Sequence, residues 1–165
     1  MNSPMTNNMM LQKQELIQQY KDRSLITTPK RILIVNYEDD VNFALKLVLE
    51  EQTYNGDIAD KKKRFKVDCF NDPFLALRSF KNGIYDLIII GVMIPRMNGF
   101  ELSKIMRRID ENVKICFLTA GQIPSNLCGY SSLCTGSEEH NHDKFISLPI
   151  ENRDLVERLD GIFIT

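Results

Sequence analysis

The sequence predicts a doubly wound α/β domain, a parallel sheet of five strands with helices on both faces. Two patterns carry this expectation. Short apolar segments recur along the chain, and Leu87-Ile88-Ile89-Ile90 is apolar at every position, the composition of a strand covered on both sides. Amphipathic segments of helical period separate these runs, and strands alternating with helices at such spacing pair in parallel. The 165 residues, 43% hydrophobic, suffice for one ordinary domain with a sizeable core.

Residues 1–29 stand apart as an N-terminal extension rich in Met, Asn and Gln. Met10, Ile17 and Tyr20, with Leu16 beside them, line one side of a short helix expected over residues 9–22. The stripe is narrow, so a partly disordered tail with a loosely docked helix is favoured over a dimerisation helix. Thr27-Thr28-Pro29 reads as a linker.

The regular domain is expected over residues 30–165. RILIV (31–35) is a buried strand, followed by an amphipathic helix from Val41 to Glu51 with Val41, Ala44, Leu45 and Val48 on one face. Residues 52–64 form a long polar connection whose basic end comprises Lys61, Lys62, Lys63 and Arg64, with Lys66 nearby. No flanking aromatics or recognition helix accompany it, so a solvated loop is favoured over a nucleic-acid contact. FKVDCF (65–70) is the second strand; Asp72-Pro73 supplies an N-cap and a first-turn proline for the helix FLALRSFKN. DLIII (86–90) is the third strand, Gly99–Asp110 the third helix, VKICFL (113–118) the fourth strand and KFISL (144–148) the fifth. A last helix runs from Asn152 to about Ile162. Between the fourth and fifth strands, residues 121–143 are rich in Pro, Gly and Ser, so the fourth helix is expected to be irregular, shortened or missing.

Net charge −1 and 26% charged residues call for neither nucleic acid nor a membrane as partner. No apolar run approaches the roughly 18 residues of a membrane span, and the N-terminus lacks the basic start and apolar core of a secretory signal. A cytoplasmic protein is therefore expected. The four cysteines make no disulfide scaffold; Cys69 and Cys116 fall inside strands and read as small buried hydrophobes.

In sheets of this kind, ligands gather just beyond the carboxyl ends of the strands. At the end of the third strand stands Gly91, which has no side chain. The segments RILIVNYEDD, FNDPFLAL, YDLIIIGVMIPRMNGFEL, ICFLTA and FISLPIENRDLVERL follow one another at a spacing that resembles a response-regulator receiver domain, the phosphoacceptor module of two-component signalling. The likeness covers about residues 30–164, and the third strand running into VMIPRMNG is its strongest part. It implies a flavodoxin-like sheet of order 2-1-3-4-5 flanked by five helices.

The resemblance also implies a site. The family carries an aspartate nucleophile ending strand three, two acids after strand one that hold Mg²⁺, a hydroxyl after strand four, and a lysine before a proline after strand five. Metal and lysine offset charge on the transferring phosphoryl group. Here the nucleophile position is Gly91, the two acidic positions are Asn36 and Tyr37, and the lysine position is Leu148; Thr119 alone keeps its chemistry. The expectation is a degenerate phosphorylation pocket with no catalytic residue, no resident cofactor, and Mg²⁺ binding weak or lost. Thr119 and Phe145 occupy the family's two switch positions.

The function expected is an atypical receiver acting as a phosphorylation-independent interaction module, not an enzyme. Its partner, a sensor kinase or another regulator, would meet the face from strand four to the last helix; a homodimer is the other possibility. The chain ends just after that helix, so output is expected through a partner or self-association. Two alternatives remain at this stage. One is metal or redox sensing through Cys128, Cys134, His140 and His142, whose spacing matches no recognised zinc pattern. The other is phosphorylation at a displaced carboxylate among Glu38, Asp39 and Asp40. Charge discriminates little: residues 1–30 hold four basic and two acidic residues, the remainder 17 and 20.

Overall fold

The computed structural model describes residues 28–51, 64–121 and 144–164, together with the single position 14. Along the chain run β1 (Lys30–Val35), α1 (Asp39–Glu51), β2 (Phe65–Phe70), α2 (Pro73–Ser79), β3 (Leu87–Gly91), α3 (Gly99–Ile109), β4 (Lys114–Thr119), β5 (Lys144–Ser147) and α4 (Asn152–Ile164). The strands form one parallel sheet in the order β2-β1-β3-β4-β5. This is the expected sheet, with four helices among the described residues. Most of the irregular segment, residues 122–143, lies outside them, and with it the expectation for the fourth crossover helix.

Side chains alternate across a strand, and that alternation divides the core in two. Ile32, Ile34, Leu87 and Ile89 join Leu45 and Leu49 of α1 and Leu155 and Leu159 of α4 on one side. Leu33, Val35, Ile88 and Ile90 join Ala76 of α2 and Phe100, Leu102 and Met106 of α3 on the other. Each of the larger aliphatic and aromatic side chains fully removed from water contributes about 1.5–3 kcal/mol. The continuous apolar runs are therefore what two-sided cover requires.

Several boundaries and one face differ from expectation. Helix α1 begins at Asp39 and turns Asn42, Leu45 and Leu49 inward, leaving Ala44 exposed and Val41 and Val48 half-buried. The cause is polar: the Asn42 amide donates to the Asn36 carbonyl at 2.7 Å and fixes the helix start with Asn42 facing the sheet. Helix α2 stops at Ser79 because Phe80 turns extended and stacks on Tyr85, ring centroids 6.0 Å apart. Its start is as expected, the Asp72 carboxylate accepting from the backbone N–H of Phe74 and Leu75. Cys116 is buried, but Cys69 is only half-buried, its thiol 3.7 Å from the Asn42 carbonyl. Arg64 is not a loop charge: it forms an ion pair with Asp160 of α4.

A polar knot closes the sheet near β2. Asp68 accepts from Arg31 at 2.9 Å and from the Tyr85 hydroxyl at 3.0 Å, while the Arg31 guanidinium lies 5.0 Å from the Tyr85 ring centroid. Burial alone raises the Asp68 carboxyl; the two hydrogen bonds and the charges of Arg31 and Lys66 outweigh it and hold it below its ordinary value. Its contribution is present above the unfolded value and is lost as pH falls through the depressed folded one. Burial and the neighbouring Asp68 push the Tyr85 hydroxyl up to about 12. Neutral Tyr85 is the favoured folded form, so its contribution is complete below about pH 10 and disappears as pH climbs toward 12. Urea unfolding should therefore find wild type more stable than Tyr85→Phe at neutral pH, with the gap closing above pH 10. A pH-independent gap would contradict this assignment.

Candidate functional site

The carboxyl ends of the strands converge on one cavity of about 220 Å³. Asn36 follows β1, Gly91 ends β3, Thr119 ends β4 and Leu148 follows β5. Backbone bonds tie these ends together, Val92 N–H to the Leu118 carbonyl at 2.9 Å and Leu148 N–H to the Thr119 carbonyl at 2.8 Å. Asn36, Tyr37, Gly91, Thr119 and Leu148, far apart in sequence, all line the cavity, with Glu38, Val92 and Met93 among their neighbours.

Gly91 does not leave an open berth. A Cβ built there would stand 2.7 Å from Asn36 Oδ1, closer than real contacts allow. Asn36 is 6% exposed; its backbone N–H donates to the Phe70 carbonyl and its carbonyl accepts from Asn42. Its side-chain amide, with Nδ2 3.5 Å from the Glu38 carbonyl, lies in the space that a side chain at position 91 would enter. On the far side, helix α3 presses on the same strand end, with Gly99 N–H bonded to the Val92 carbonyl at 3.0 Å. Asn98 caps this helix, Oδ1 accepting from Glu101 N–H at 2.9 Å.

The other positions are as poor in charge. Tyr37 is 48% exposed, and a hydrogen bond with Glu38 together with the charge of Glu38 holds its hydroxyl above its ordinary value, so it stays neutral at physiological pH. Leu148 brings an apolar side chain where the sequence likeness calls for an ammonium. The Thr119 hydroxyl donates to the Gly121 carbonyl at 2.8 Å and accepts from its N–H at 3.3 Å, closing a local turn. Glu38 is the one carboxylate among the lining residues. Asp39, at the start of α1, accepts from Asn71 at 3.0 and 3.2 Å. Among the described residues no group of three or more His, Cys, Asp or Glu is placed to hold a metal. Cys128, Cys134, His140 and His142 lie outside the described residues.

Phe145 packs behind the cavity, not into it. Its half-buried ring sits 5.5 Å from Phe117 and 6.4 Å from Phe100, which are themselves 4.6 Å apart. The Phe145 carbonyl accepts from Arg158 of α4. Sequence reasoning missed the closure of position 91 by Asn36, because only the pairing of β1 with β3 brings the two together. It also missed Asn42, whose polar side chain disguises an inward position.

A family model described as "Response regulator receiver domain" matches residues 32–160. The response regulator receiver protein CpdR of Brucella abortus is 25% identical over 137 residues, covering 82% of this chain and 98% of that protein. The transcriptional regulatory protein RprY of Bacteroides fragilis is 24% identical over 138 residues, 84% of this chain but 52% of RprY. The chain therefore spans about half the length of that relative. Among solved structures, a CheY-like receiver domain protein of Methanospirillum hungatei superposes with TM-score 0.61 at 22% identity over 81% of this chain and 93% of that one. The BeF3-activated DrrB receiver domain gives 0.63 at 12% identity, over 84% of this chain and all of the other. At these identities the structural likeness speaks for the fold. Together with a family match running from β1 into α4, it leads to one conclusion: this chain belongs to the response regulator receiver domain family.

Proposed function

We propose that this receiver domain signals without phosphorylation at the strand-end cavity and works as a protein-interaction module. The observation that carries the reading is the Asn36 amide in the space of a side chain at position 91. It is supported by Tyr37 and Leu148, which offer neither anionic ligands to Mg²⁺ nor a cation to a phosphoryl group. Response regulator receivers interact with kinases or with other regulators. The partner surface we favour is the face of β4, β5 and α4, where Phe145 is already packed inward. An inward ring with a locally satisfied Thr119 hydroxyl suits a domain held in one conformation.

Two outcomes follow. Titration with millimolar Mg²⁺, followed by amide chemical shifts, should give no saturable change at Asn36, Tyr37 or Gly91; saturable binding there would overturn the loss of the metal site. Gly91→Ala should cost about 1 kcal/mol, because it meets the end of the Asn36 side chain, which must shift, and no backbone. The double variant Asn36→Ser/Gly91→Ala should recover part of that loss. A neutral Gly91→Ala would mean that the Asn36 amide yields freely and that the position remains open to a side chain.

A further inference from the structure

Helix α1 carries more apolar surface than the sheet uses. Asn42, Leu45 and Leu49 face inward, yet Phe43 is 68% and Leu47 45% exposed, four residues apart and hence neighbours on one side of the helix. Next to this edge lies an apolar groove of about 470 Å³ between α1 and the start of α4. Val41, Ala44 and Val48 form one wall; Leu148, Pro149 and Ile150 form the other. Leu148 belongs to both the groove and the strand-end cavity. A lysine there would put a charge at the groove mouth, whereas leucine extends its apolar lining. A contiguous apolar surface of this kind marks a docking site.

We propose that residues 9–22 of this same chain dock on the exposed edge of α1 and its adjoining groove. These residues supply the matching chemistry, an apolar set of Met10, Leu16, Ile17 and Tyr20 on one side of a helical period. Gln14, the described position within them, is helical and exposed, and it is not one of that set. The tether is long enough. Residues 23–29 span up to about 23–25 Å when extended, and they join β1 at Lys30. The groove lies toward the opposite end of β1, a strand of six residues and thus about 20 Å long. A helix over all fourteen positions would measure about 21 Å, close to the roughly 20 Å of the thirteen-residue α1. Charge neither helps nor opposes the fit, because residues 9–22 hold Lys13 and Lys21 against Glu15 and Asp22. Tethering also favours this occupant over a separate molecule, because a linked segment acts at high effective concentration.

Hydrogen exchange of the full 165-residue chain tests the proposal through two variants, with sedimentation on the same samples. Ile17→Asp/Tyr20→Asp should speed exchange of the amides of residues 41–49 by about tenfold and leave β3 and β4 unchanged. Phe43→Ser/Leu47→Ser, which alters exposed positions only, should speed exchange of residues 9–22 while the chain keeps its thermal midpoint. Wild type should sediment as a monomer whose protection does not change on dilution. If neither variant alters the other segment, the proposal is wrong. A dimer whose α1 protection falls on dilution would equally overturn it, identifying a second copy as the occupant. Both readouts are separate from phosphorylation and metal binding, so they stand or fall independently of the pocket reading.

Discussion

Replacing Phe100 with alanine is expected to remove about 3–5 kcal/mol of stability. The ring is 1% exposed and sits 4.6 Å from Phe117, itself fully buried in β4. It is the means by which α3 grips the sheet, together with the buried Leu102 and Met106 of the same helix. Truncation leaves a cavity whose walls are held by strands β3 and β4, so collapse is limited and the cavity cost remains. Phe145 is the contrasting case: half-buried at the sheet edge, it should cost less than half as much when cut to alanine. Urea unfolding of both variants decides the matter. A loss below about 1.5 kcal/mol for Phe100→Ala would mean that the three-ring cluster repacks and does not hold α3 in place.

Gly99→Ala is expected to cost about 2–3 kcal/mol by forced overpacking. A Cβ at this position would stand 2.2 Å from the Gly91 carbonyl oxygen and 3.0 Å from Ile90 Cγ2. The first of these is backbone of the central strand, and no flexible side-chain end is there to move aside. The helix start has to retreat, which stretches the Gly99 N–H bond to Val92 and disturbs the Asn98 cap. Gly161 provides the control. It lies within α4 with nothing inside 4 Å of its would-be Cβ, so Gly161→Ala should be neutral or stabilising by up to about 1 kcal/mol. Thermal melts of the two variants should therefore shift in opposite directions, or one only. Equal and small shifts would show that α3 tolerates displacement from Gly91.

These two positions also explain what was legible in the sequence. The sheet was readable because apolar runs at β1, β3 and β4 have no other stable use than a strand covered on both faces. The helix start at Pro73 was readable because Asp72 is chemically suited to accept from free N–H groups. The rotation of α1 was not, because an apolar count places Val41, Ala44 and Val48 inward and Asn42 outward. The bond from the Asn42 amide back to the Asn36 carbonyl, across the turn between β1 and α1, reverses that order. The strand-end positions were legible as a set, since each falls at a predictable place on its own segment. The fit of the Asn36 amide against Gly91 was not, because it depends on the register of β1 beside β3, which no local pattern encodes. Likewise, Arg64 read as part of a solvated basic loop until its partner Asp160, far along the chain, came beside it.

The fit of Asn36 against Gly91 bears directly on the proposed loss of phosphorylation at the strand-end cavity. A missing nucleophile alone leaves a gap that water or a substitute residue can enter. Here the Asn36 amide, just past β1, lies in that space, Leu148 lines an apolar groove, and the Thr119 hydroxyl bonds its own turn. Each change lowers the electrostatic support for a transferring phosphoryl group.

The most direct test is the intact mass of the full chain after incubation with acetyl phosphate and Mg²⁺. Our account predicts an unchanged mass. A phosphoryl adduct lost on alkaline hydrolysis, as acyl phosphates are, would contradict it and mean that another carboxylate, Glu38 first among them, has taken over the role that Gly91 cannot perform.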